Sequence, residues 1–177
     1  MPENAEVIKF HEAAYERVLE GMFAKDDLSI KLGDTLDVKA SVLLAAITLI
    51  ATQTAYFLDK GVAGLSHYLL IGAGVLLVGA MAFAFIELWP RKYTLPRPEK
   101  SSIDRVAELR DFYAQHENVE SSLMLAEFTK DEIGWAQTRI SENQAVNRTK
   151  SKSLEWSFYL TALAMIFNIA TLLMRLF

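Results

Sequence analysis

From Ala40 to Leu58 the chain carries no charged residue: Lys39 is the last before this run and Asp59 the first after it. A helix needs about 20 predominantly apolar residues to cross a hydrocarbon core. Inside lipid, only helices and closed barrels satisfy every backbone hydrogen bond internally. The run therefore reads as a membrane-spanning helix. Two more runs meet the same criterion: 68–88, with Glu87 as its one charge, and 156–174, with none. An apolar content of 52% clustered in this way predicts an all-α membrane protein rather than a soluble core. The expected organisation is an N-terminal cytoplasmic amphipathic helix in 1–27 and a transmembrane hairpin in 28–89, with spans at about 40–58 and 68–89. A cytoplasmic helical segment in 90–152 and a third transmembrane helix in 153–177 complete it.

Composition excludes several function classes. Cysteine is absent, which removes disulfides, thiolate metal sites and a cysteine nucleophile. His11, His67 and His116 are too scattered for a histidine metal site, so no metal is expected. A net charge of −4 argues against nucleic acid, which needs a basic face for phosphates. No phosphate-binding loop, dinucleotide fingerprint, zinc-protease motif or nucleophile elbow occurs, so enzyme activity is not expected. Residues 1–30 are acidic and lack an apolar signal core, so the first span is expected to serve as its own insertion signal.

Basic residues set the expected orientation. Lys31 and Lys39 precede span one, Arg91, Lys92, Arg97 and Lys100 follow span two, and Arg148, Lys150 and Lys152 precede span three. The loop from Asp59 to His67 holds only Lys60. The N-terminus and the central segment are expected in the cytoplasm, and Arg175 with the C-terminus on the far side.

Helix signals fill in the rest. Residues 3–24 read as a helix with Val7, Phe10, Ala14, Arg17, Val18 and Gly21 near one face. Ala24-Lys-Asp-Asp27 is expected to interrupt it, with Asp26 or Asp27 capping the next helix. Pro90, Pro96 and Pro98 end span two in an extended exit, and Ser101 or Ser102 is expected to cap a short helix reaching about Ala114. From about Asn118 onward only Gly134 disfavours helix, so one long helix is expected to run into span three. Its cytoplasmic part shows an interrupted apolar seam at Val119, Leu123, Ala126, Ile133, Ile140 and Leu154, suited to a small helical bundle.

Three small or polar lines mark the spans. On span one, Asp34, Asp37, Ser41, Ala45, Thr48, Thr52 and Ala55 recur at steps of three and four, with Gln53 beside them. Span two places Ala73, Ala80, Ala84 and Glu87 on one face, with Gly72, Gly74 and Gly79 allowing close approach and Glu87 within reach of headgroups or water. On span three, Ser157, Thr161, Ala164, Asn168, Thr171 and Arg175 form a heptad-like line. Such lines either pack helices closely or meet water. Ser41, Thr48, Thr52, Gln53, Ser157, Thr161, Asn168 and Thr171 are accordingly the candidates for a pore lining or a helix interface, and their number predicts a homo-oligomer.

At Asp37-Val-Lys39-Ala40, followed by Ser-Val-Leu-Leu-Ala45, the chain resembles small bacterial membrane effectors of cyclic-nucleotide anti-phage systems: the Pycsar transmembrane effectors and the related SLATT-domain proteins. The Pro90-Arg91 pair ending span two and the Asn143, Asn147, Lys150 and Lys152 series entering span three extend the resemblance from about Leu28 to the end. It implies a multi-pass protein of the bacterial inner membrane that answers a cyclic nucleotide as activating ligand, needs no cofactor, and impairs membrane integrity. The alternative is a non-conducting anchored scaffold or sensor that recruits a protein partner. The groups nearest to a nucleotide-binding role are Lys39, Arg91, Lys92, Arg148, Lys150 and Lys152, for which contact with membrane lipid is the plainer reading. Asp37 beside a snorkelling Lys39 also has an interfacial explanation.

Overall fold

The structure, a computed structural model, describes the backbone of residues 2–96, 99–114 and 121–176, with side chains from Ala13 onward except at 99–100 and 121–123. Four helices occur, α1 (Pro2–Asp59), α2 (Leu65–Leu88), α3 (Glu99–Ala114) and α4 (Ser121–Leu176), and no strand is found among the described residues. Stretches within α1, α2 and α4 are long and apolar enough to cross a membrane. The all-α membrane architecture and the long helix continuing into the last span are thus present.

Two boundaries differ from expectation. Helix α1 runs through Ala24–Asp27 without a break. The reason is visible at Asp26, whose carboxylate accepts hydrogen bonds from Arg139 Nε at 3.2 Å and Asn143 Nδ2 at 3.4 Å instead of capping a backbone. Helix α3 begins at Glu99, ahead of the two serines expected to cap it. The side chains of Val7 and Phe10 lie outside the described residues, while Arg17, Val18 and Gly21 on the same expected face are exposed.

The chain divides into two compact units, one of residues 1–31 and 92–145, the other of 32–91 and 146–177. In the second, each helix buries one seam. On α1 it is Gly33, Leu36, Ala40, Ile47 and Thr54; on α2 it is Leu70, Ala73, Leu77, Ala80, Ala84 and Glu87. On α4 it is Lys150, Ser153, Ser157, Thr161, Ala164, Asn168 and Thr171. Spacings of three, four and seven give the 3.5-residue repeat of helices packed at a shallow left-handed crossing. Alanines on α2 bring its backbone close to α4, so that Ser157 Oγ donates to the Ala80 carbonyl at 2.8 Å. Gly72 favours the same approach, since a Cβ there would stand 3.1 Å from the Phe167 ring, tighter than an ordinary contact. Gly74 faces open space.

In the first unit α3 is fastened to α4. Arg105 Nη2 lies 2.8 Å from Asp131, and the Tyr113 hydroxyl donates to Glu127, a bond that raises the phenol above its usual range. The buried line of α4 here is Thr129, Ala136, Arg139, Ile140 and Asn143. It differs from the apolar seam expected from sequence: Ile140 belongs to it, Ala126, Ile133 and Leu154 are half-buried, and Val119 and Leu123 fall outside the described side chains. The inward face carries Arg139 and Asn143 because Asp26 and Thr94 supply their partners, so hydrophobicity alone misplaces it.

Candidate functional site

Within the membrane unit, α1, α2 and α4 each turn a charged side chain toward a common interior. Lys150 on α4 is 3% exposed, and its Nζ lies 2.5 Å from Asp37 Oδ1 of α1. Glu87, in the last turn of α2, is fully buried, and neither of its carboxylate oxygens receives a hydrogen bond. The charged groups acting on it are Asp37, Lys150 and Arg91. Arg91 lies three residues beyond the end of α2, and its Nε is buried without a partner among the described residues. Two carboxylates and two cations sum to zero formal charge, which lets the cluster exist in low dielectric although its hydrogen bonding is incomplete. Such a half-satisfied set is costly relative to an apolar interior and can be rearranged by a new charge or donor.

The position of Glu87 corrects the expectation that it reaches headgroups or water. It continues the buried seam of α2 one turn beyond Ala84, so the helix geometry that buries the alanines also turns it inward.

In the other unit a second buried network surrounds Asn143. Its Oδ1 accepts the Thr94 backbone N–H at 2.9 Å and its Nδ2 donates to the Thr94 carbonyl at 3.2 Å, so the side-chain amide pairs with the segment after α2 as a neighbouring strand would. Asp26 and Arg139, each with side chains only 5% exposed, form an ion pair beside it. Thr94 Oγ1 also donates to Glu142.

Among the basic candidates, Arg91 and Lys150 come together at Glu87. Lys39, Arg148 and Lys152 are exposed, and Lys92 is exposed in the other unit. Asp37 and Lys39, two residues apart, are split by the helix: Asp37 pairs with Lys150, whereas Lys39 points outward.

The candidate pore or interface residues separate into two sets. Ser157, Thr161, Asn168 and Thr171 are buried inside their own chain. Thr54 Oγ1 donates to Asn168 Oδ1 at 3.1 Å, while Asn168 Nδ2 donates to the Ala164 carbonyl at 3.0 Å. Ser41, Thr48, Thr52 and Gln53 are exposed on the outer face of α1. The three hydroxyls there donate to carbonyls one turn back, at Asp37, Leu44 and Thr48. Among the described residues no such bond serves the Gln53 amide.

Sequence reasoning missed the inward Asp37, Glu87 and Lys150 set and the Asn143 clasp. The signal was available on α4. Extending the Ser157–Thr171 line backward in steps of three and four reaches Ser153, Lys150, Asn147 and Asn143, all of them buried.

The Pycsar effector protein domain model matches residues 27–176, a stretch that includes Asp37, Glu87, Arg91, Asn143 and Lys150. No curated protein and no solved structure matches the chain. The three apolar helices agree with the membrane location that this domain implies. The chain belongs to the Pycsar effector protein domain family, and it is a membrane effector of cyclic-nucleotide anti-phage defence.

Proposed function

We propose that the protein permeabilises the bacterial inner membrane after a cyclic nucleotide signal, as a homo-oligomer joined through the outer face of α1. One observation carries this reading: Gln53 is exposed on span one and its amide makes no hydrogen bond with any described residue. At 1.5 Å per residue it stands about 21 Å along the helix from Lys39 and about 9 Å from Asp59, too deep for its short side chain to reach water. Leaving an amide unpaired in hydrocarbon costs about 4–8 kcal/mol on an alkane scale. A second protomer supplies a partner, and Ser41, Ala45, Thr48, Thr52 and Ala55 let the two backbones approach. The N-terminus lies in the cytoplasm, where the charged Asp37, Glu87, Arg91 and Lys150 cluster is near the side from which a nucleotide arrives. An anionic ligand competing for Arg91 or Lys150 is the trigger best suited to that cluster, because it rearranges an electrostatic balance in which Glu87 and Arg91 are left without full hydrogen bonding.

Membrane potential in expressing cells, recorded with and without cyclic pyrimidine nucleotides, tests the reading. Ligand-dependent depolarisation is expected. An unchanged potential with ligand present contradicts it and favours the non-conducting scaffold.

A further inference from the structure

Between α1 and α4 of the membrane unit lies an open groove of about 650 Å³. Its walls are Leu36, Val42, Leu43, Ala46, Leu154 and Phe158, and its polar lining is Lys39, Ser151, Glu155 and Tyr159. The two charges have a definite place. Lys39 is the last charged residue before span one and Glu155 the last before span three, so both mark the same boundary between polar and apolar sequence. The groove is therefore charged at one end and apolar along the length that continues into the spans.

Lys39 and Glu155 line the same groove without pairing. Lys39 makes no ion pair with any described residue, and Glu155 accepts a single hydrogen bond, from the Tyr159 hydroxyl at 3.2 Å. Val42 and Phe158 remain 66% and 60% exposed, so the apolar part opens sideways rather than closing on itself. In a bilayer, such a gap is filled by hydrocarbon, because an empty space forfeits dispersion contacts along both walls.

We propose that this groove is a binding site for one zwitterionic phospholipid bearing a primary ammonium, the chemistry of phosphatidylethanolamine. An acyl chain lies along Val42, Leu43, Ala46 and Phe158. The headgroup phosphate meets Lys39, and the ammonium donates to Glu155, whose orientation the Tyr159 hydroxyl fixes. Opposite charges on one groove match a headgroup that carries both. A purely anionic headgroup would satisfy Lys39 and be repelled by Glu155. A choline headgroup has no N–H to donate to the carboxylate.

Native mass spectrometry of the full chain, released from detergent with equal amounts of phosphatidylethanolamine, phosphatidylglycerol and phosphatidylcholine, reads the selectivity. Phosphatidylethanolamine adducts are expected to exceed each of the others about tenfold. Glu155→Gln is expected to abolish that preference, and Lys39→Gln to weaken retention of all three lipids. Both positions are exposed, so folding survives the substitutions. Val42→Trp fills the groove and is expected to remove the adduct. Equal retention of the three lipids, a preference for phosphatidylglycerol, or selectivity unchanged in Glu155→Gln would overturn the proposal. So would an adduct retained in full by Val42→Trp. None of these outcomes depends on whether the protein conducts.

Discussion

Lys150 shows how a single side chain holds three helices to one arrangement. Its ammonium pairs with Asp37 on α1 and acts electrostatically, together with Arg91, on the Glu87 carboxylate of α2. Lys150→Met keeps the apolar stem and removes the charge, leaving both carboxylates facing each other. Breaking a fully buried pair costs about 3–5 kcal/mol, but the Asp37 side chain retains 43% exposure. The expected loss is therefore smaller, about 2–3 kcal/mol, read as a lower unfolding midpoint in detergent. Glu87→Gln removes a like-charge neighbour of Asp37 while keeping size and shape, and its midpoint is expected to stay near that of the wild type. The reverse order of effects would show that Glu87, not Asp37, is the main partner of Lys150.

At the scale of elements, α2 has one face that must stay small and another that need not. Gly72→Leu drives a side chain into the Phe167 ring, whereas Gly74→Leu enters open space. Overpacking of this kind costs about 1–3 kcal/mol. Thermal unfolding should fall for Gly72→Leu and remain unchanged for Gly74→Leu; equal losses would place α2 in a different rotation. This face was legible in the sequence, because Ala73, Ala80, Ala84 and Glu87 share the period that the structure buries. The long α4 was legible too, since nothing from Ser121 onward stops a helix. Other features were hidden for physical reasons. Asp26 looks like a helix cap until Arg139, distant in sequence, is known to face it. The small stripe of α1 looks like the inner seam, yet the alternating small and apolar set Gly33, Leu36, Ala40 and Ile47 fills that role, and the stripe lies outside. Spacing finds a face but not which of two faces the chain itself covers.

For the whole molecule, the basic flanks of all three spans lead us to propose an N-terminus inside and a C-terminus outside. Reporter fusions at residue 62 and at the C-terminus should both register the non-cytoplasmic side; a cytoplasmic C-terminus would mean that α4 does not cross. Protomers are proposed to meet through α1, while the polar line of α4 is already closed within each chain. Measuring dye leakage and particle mass in the same ligand-treated samples tests this arrangement most directly. Thr52→Leu with Gln53→Leu should abolish leakage and reduce the particle toward the single-chain mass of 19.9 kDa. Asn168→Leu with Thr171→Val, which conserves shape inside the protomer, should leave both leakage and assembly in place. Full leakage from an intact assembly of the first variant, with leakage lost in the second, would contradict the account and make α4 the lining.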